Sequence, residues 1–202
     1  NRDLRYVCAL QFVNYGTVLS IVGLWAGPYL NDVHGLAGVE RGNVLLGLNL
    51  AMLVGVMGFS VAERWLNTRK WTISGGAVLS IVLLVILAVL PDLGRWAAIA
   101  LLGLFALASA YIMLIHAHAR AVLSDHIVGR GLTLQNRAVF LGAFAIQAAS
   151  GFIIGQFPQD GGAAPGTASR AGFGFLAVMT LVALAIYVRI RDVRPREEGR
   201  TG

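Results

Sequence analysis

The sequence predicts an all-α membrane protein with six transmembrane helices, and three observations carry that expectation. Six apolar stretches fill the chain almost end to end, and each approaches the ~20 helical residues that a ~30 Å hydrocarbon core requires. The composition is 57% hydrophobic and 13% charged, with a mean hydropathy of +0.72, outside the range of ordinary soluble domains. The third observation is where the charges fall.

With the N-terminus placed inside the cell, the inner segments hold Arg2, Arg5, Arg64, Arg69, Lys70, Arg120, Arg130, Arg137, Arg189, Arg191, Arg194, Arg196 and Arg200. That is 13 of the 16 basic residues; the outer loops keep Arg41, Arg95 and Arg170. The acids divide 6 to 4, so the bias is a basic one. Such a bias sets topology and puts both termini in the cytoplasm. The basic excess is therefore a topology signal and an attraction for anionic headgroups, not a nucleic-acid footprint.

The spans are expected at residues 4–30, 42–61, 71–90, 96–119, 133–157 and 172–190, so that residues 1–190 form one bundle and 191–202 a charged, disordered cytoplasmic tail. The first span ends in Gly27-Pro28, a helix-stopping pair, with Trp25 and Tyr29 at the outer interface. The second carries Gly47, Ala51 and Gly55 at steps of four, a stripe that lets a neighbouring backbone approach. The third and sixth are apolar on nearly every face, which places them against lipid. The other four carry amides, hydroxyls and glycines and form the expected seam. The Gly-, Ala- and Pro-rich loop from Pro158 to Arg170 is expected to move.

Cys8 is the only cysteine, so an internal disulfide and a cysteine metal cluster are excluded. The chain opens Asn-Arg-Asp without a methionine or a signal-peptide pattern, so Asn1 is expected to lie inside a longer polypeptide or to follow processing.

Three segments resemble the C-terminal six-helix half of a bacterial major facilitator superfamily (MFS) transporter. Gly23-Leu24-Trp25-Ala26-Gly27-Pro28-Tyr29-Leu30 looks like the outer end of the seventh helix. Gly129-Arg130-Gly131-Leu132-Thr133-Leu134-Gln135-Asn136, continuing to Phe140, Gly142, Gln147 and Gly151, looks like the start of the eleventh. Gly58 to Lys70 looks like a degenerate copy of the superfamily's signature loop, with Glu63 in place of Asp and Arg69-Lys70 about two positions late. The resemblance spans essentially all 202 residues. It implies two three-helix repeats, a location in the inner (plasma) membrane, and alternating access for a small-molecule substrate. It also implies a partnering N-terminal six-helix half.

A solute site in such a protein lies near the midplane, where polar side chains are costly and tend to be functional. The cavity candidates are Gln11, Asn14, Asn49, Tyr111, Asn136 and Gln147. Gln11, Asn14, Tyr15 and Trp25 share one helical face, and Ala143, Gln147, Gly151 and Gly155 form a row at steps of four. Interhelical hydrogen bonds use the same residue types at ~0.6 kcal/mol each. Glu63, Arg64, Arg69 and Lys70 are candidates for a cytoplasmic gating loop. His116 and His118 are expected as interfacial rings on opposite helix faces, which argues against a shared metal. Arg137 is expected to snorkel to the interface.

No carboxylate lies inside any span, so a coupling acid belongs elsewhere. No cofactor, metal site or catalytic set is expected. Ser109 with His116 lacks a third group to orient a base, and only the fourth span carries histidine for haem. Two readings stay beside the transporter half: a non-transporting membrane scaffold, and an intramembrane enzyme or haem carrier.

Overall fold

A computed structural model describes residues 2–123, 128–158 and 166–193. The first span is one irregular helix: α1 (Arg2–Val18), a π-helical segment (Leu19–Trp25) and α2 (Ala26–Asp32). The second and third spans are α3 (Gly38–Leu66) and α4 (Arg69–Val89). The fourth is broken into α5 (Arg95–Ser109) and α6 (Ile112–Ala121). The fifth and sixth are α7 (Val128–Ile154) and α8 (Gly166–Tyr187). All six are long and apolar enough to cross a bilayer, and no strand occurs among the described residues.

Contacts between spans follow a pseudo-twofold rule. The first span packs on the fifth as the fourth packs on the second, the first packs on the sixth as the fourth packs on the third, and the third pairs with the sixth. Exchanging each span with the one three further along leaves this pattern unchanged, as two three-helix repeats require. The two equivalent crossings share a device. At the first, a Cβ on Gly142 would lie 2.0 Å from the Phe12 carbonyl oxygen. At the second, a Cβ on Gly55 would lie 2.3 Å from that of Leu107. Only glycine lets these backbones meet. Of the expected stripe on α3, Gly55 makes this crossing and Ala51 packs partly buried against the core, while Gly47 faces open space.

The two central spans are the interrupted ones. Gly27-Pro28 does not stop the first helix, which runs on to Asp32. The wide π turn hands the Ala26 N–H to Ile21 O, and Pro28 falls in the opening turn of α2, where a missing donor costs little. In the fourth span the break falls at Ala110 and Tyr111, without glycine or proline. Ala110 N–H bonds Leu107 O and Met113 N–H bonds Ala110 O, both tightened to i→i−3 spacing.

Burial divides the four semi-polar helices into two kinds. The first and fourth spans are the most enclosed, whereas α3 buries only Leu48 and Gly55. On α7 the row Gln135, Val139, Gly142, Ile146, Ser150 and Ile154 is buried, while Phe140, Leu141, Phe144 and Phe152 are exposed. Helices α4 and α8 pack together and each exposes one apolar face, through Val78, Val82 and Val85 and through Val178, Leu181 and Val182.

The face that carries the first and last described residues is tied down by residues 191–193. Asn67 in the left-handed region (φ 48°) ends α3, and Thr68 caps α4 by accepting from Trp71 N–H, a cap worth ~1 kcal/mol. Thr68 Oγ1 donates to Asp192, and Lys70 N–H donates to Asp192 Oδ1 at 3.0 Å. Arg191 pairs with Asp3 at 2.9 Å. Residues 191–193 are thus bonded into the bundle and are not a free tail; the remainder, 194–202, lies outside the described residues, as does most of the Pro158–Arg170 loop. On the opposite face Arg170 caps the carboxyl end of α4, donating to Ala88 O at 2.8 Å and Val89 O at 3.0 Å.

Candidate functional site

The first-span amides meet the broken fourth span. Asn14 and Tyr111 are both fully enclosed, and the Tyr111 hydroxyl donates to Asn14 Oδ1 at 2.7 Å. One turn toward the termini, Gln11 Nε2 donates to His116 Nε2 at 2.9 Å. An amide nitrogen only donates, so Nε2 of His116 is the acceptor and Nδ1 carries the proton of the neutral ring. The helix break places these partners: Tyr111 sits in it, and His116 follows on α6.

Three buried amides in this region keep bonding capacity. Gln11 Oε1 and Asn14 Nδ2 make no hydrogen bond, and the Gln135 amide has no partner beyond the His116 ring it sits against. Gln135 is fully buried, yet it borders a cavity of about 380 Å³ between α6 and α7, with His116, Ala117, Arg120, Leu132 and Asn136. Buried polar atoms usually find partners, so an under-bonded set beside a cavity marks a place for a ligand or water. A second, mainly apolar groove of about 520 Å³ follows the α1–α7 seam past Cys8, Phe12 and Arg137.

The six expected cavity residues divide. Gln11, Asn14 and Tyr111 join one cluster, and Asn136 reaches the cavity beside it from an exposed position on α7. Gln147 is half-buried a few turns away, where its carbonyl accepts from Ser150 Oγ, itself the acceptor for Trp25 Nε1 at 2.9 Å. Asn49 stands apart on the exposed face of α3, folded back onto Leu45 O at 2.8 Å. The enclosed row on α7 runs one residue beside the expected Ala143–Gln147–Gly151 row, through Gly142, Ile146 and Ser150.

Gln135 and His116 are the residues that sequence reasoning passed over. Gln135 is four residues before Val139 and seven before Gly142 on the enclosed stripe of α7, a spacing available in the sequence. His116 faces Gln11, and His118 faces the other way, so the two rings share no ligand position. His118, at the end of the fourth span, is fully buried in the bundle, donating from Nε2 to Arg191 O at 3.2 Å and accepting at Nδ1 from Tyr187 Oη at 2.7 Å. Desolvation here is offset by two hydrogen bonds.

Among the expected gating residues, Arg69 and Glu63 form an ion pair, both largely buried. Lys70 Nζ lies 5.2 Å over the Trp71 ring. Arg64 is exposed. Burial alone would raise the Asp192 carboxyl, but the donors from Thr68, Lys70 N–H and Arg69 N–H, with His118 nearby, hold it below the ordinary carboxylate value. Ser109 Oγ donates to Ala106 O, and His116 is engaged with Gln11, so these two do not form a nucleophile–base pair. Among the described residues no group of His, Cys, Asp and Glu is arranged to hold a metal.

Neither a protein-family profile nor a curated protein sequence matches the chain. The fold is similar to that of the xylose transporter XylE from E. coli in an inward-open conformation, with a TM-score of 0.71 at 16% identity over 96% of this chain. The chain spans 47% of that protein's length. The six-helix architecture therefore matches about half of that protein's fold.

Proposed function

We propose that this chain is the C-terminal half of a secondary active transporter that moves a small polar solute across the cell membrane by alternating access. The observation that carries the reading is the set of under-bonded, buried amides of Gln11, Asn14 and Gln135, of which Gln135 lines a cavity together with His116, the hydrogen-bond partner of Gln11. In lipid, a buried polar atom without a partner is expensive, and a fold retains it where a solute or water completes it.

The second support is the incomplete burial of two helices. Exposed Phe140, Phe144 and Phe152 on α7 and Leu46, Leu53 and Met57 on α3 fit a second six-helix bundle, covalently attached or separate. The site lies on the first, fourth and fifth spans, so that bundle would complete its wall. In this reading the termini are cytoplasmic and the membrane is the inner one. The Glu63–Arg69 pair, with the Asp192 bonds, would then hold the cytoplasmic side of the half as one body.

The experiment is solute accumulation by membrane vesicles that contain the complete protein, with [14C]xylose and [14C]lactate as first probes. Gln11→Leu and Gln135→Leu remove the site amides and keep the volume close. Accumulation in the parent, lost in both variants at equal membrane abundance, is the expected result. Accumulation that survives both variants would remove the site, and none with any solute would favour the scaffold reading.

A further inference from the structure

The α6–α7 cavity has a one-sided chemistry. Its polar lining consists of the Arg120 guanidinium, the His116 ring and the amides of Gln135 and Asn136, and no carboxylate borders it among the described residues. Arg120 lies at an exposed edge and makes no ion pair among the described residues. His116 receives its bond from Gln11 at Nε2, so the donor it has left is Nδ1–H. Gln135, wholly buried, sits against the His116 ring and has no other hydrogen-bond partner, so its amide keeps bonding capacity at the same cavity.

We propose that this cavity is the subsite for the carboxylate end of a small hydroxy- or keto-acid, which deepens the transporter reading and rests on it. The guanidinium fork matches a carboxylate in two parallel hydrogen bonds. The Gln135 amide, able both to give and to accept, matches a neighbouring hydroxyl or keto oxygen. A neutral sugar would give the guanidinium no carboxylate to pair with, since none lines this cavity among the described residues. At about 380 Å³ the cavity is at the small end of ligand sites.

The test is equilibrium binding of [14C]lactate to the complete protein in nanodiscs of neutral phosphatidylcholine. Competitors are pyruvate, the neutral isostere lactamide, inorganic phosphate and xylose. Pyruvate is expected to displace the label and lactamide, phosphate and xylose to fail. Arg120→Gln is expected to weaken lactate roughly tenfold or more, as loss of a charged hydrogen bond does. Arg120→Lys restores part of the affinity, and Gln135→Glu abolishes binding by placing a second carboxylate against the ligand. Monodisperse elution of each variant separates lost binding from lost folding.

Displacement by lactamide or xylose as good as by pyruvate, or an unchanged Arg120→Gln variant, would overturn the assignment. So would equal displacement by phosphate, or competition by anionic phosphatidylglycerol in the disc, since the site would then read a generic oxyanion or a lipid headgroup. Binding without accumulation in vesicles would sink the transporter reading and leave the subsite standing. Accumulation of neutral solutes alone would do the reverse.

Discussion

The Tyr111 hydroxyl donates to Asn14 Oδ1 at 2.7 Å, across the junction of the first span with the break in the fourth. Both residues are sealed from solvent, and the amide nitrogen of Asn14 is left without a partner. The bond therefore does two things: it ties the break to the first span, and it fixes the orientation of the Asn14 amide. Tyr111→Phe should destabilise the protein by about 1–3 kcal/mol, because it leaves a buried acceptor unpaired. Melting of the purified protein in detergent measures it. In an Asn14→Leu background the same substitution should cost less, and the two single changes should not add.

The two glycine crossings differ in kind from the open stripe on α3. Gly142→Ala sets a Cβ against the Phe12 backbone and should cost about 1–3 kcal/mol, as overpacking does. Gly47→Ala meets nothing within 4 Å and should be neutral or slightly stabilising, because alanine favours helix. Equal melting temperatures for the two variants would contradict the close approach of α1 and α7.

The Asp192 latch has a defined pH sign. Its folded-state value is depressed, so its contribution is present above the unfolded carboxylate value of about 3.9 and is lost as pH falls below that toward the folded value. Stability should decline more steeply between about pH 4 and pH 3 in the parent than in Asp192→Asn, which has no carboxylate to protonate. A parallel decline in both proteins would remove the latch from the account.

The apolar faces of α3 and α7 should be covered in the assembled protein. In the proposed assembly with a second bundle, a charge introduced by Phe144→Glu, at a position that touches little in this bundle, should reduce pairing several-fold while leaving this bundle folded. Co-purification of the two halves, expressed as separate chains, reads this directly. Val82→Glu on α4 separates the two faces: it should hinder insertion in lipid without selectively weakening the pairing of the halves.

The spans were legible in the sequence because the solvent is hydrocarbon. Every span must be a helix, and hydropathy finds it. The interruptions were not legible. Gly27-Pro28 is a strong local stop signal, yet the π turn before it places the proline where its lost donor is harmless. The break at Tyr111 carries no glycine or proline, and tertiary contacts decide it. Site residues followed the same division. Gln11, Asn14 and Tyr111 were visible as polar groups at middle depth. His116 gained its place only when folding brought Gln11 to it, 105 residues away in the chain. Gln135 was overlooked for Asn136, its exposed neighbour, because one helical step of 100° separates an enclosed face from an open one.

The most direct measurement is the side from which the cavity can be reached. A cysteine introduced by Asn136→Cys, in a background with Cys8 and any other cysteine of the complete protein replaced, is labelled with a membrane-impermeant maleimide in right-side-out and inside-out vesicles. The expected result is labelling from the face that carries the first and last described residues, slowed several-fold by a solute that the same vesicles accumulate. Labelling unaffected by every accumulated solute, in either vesicle orientation, would contradict a solute site between the fourth and fifth spans.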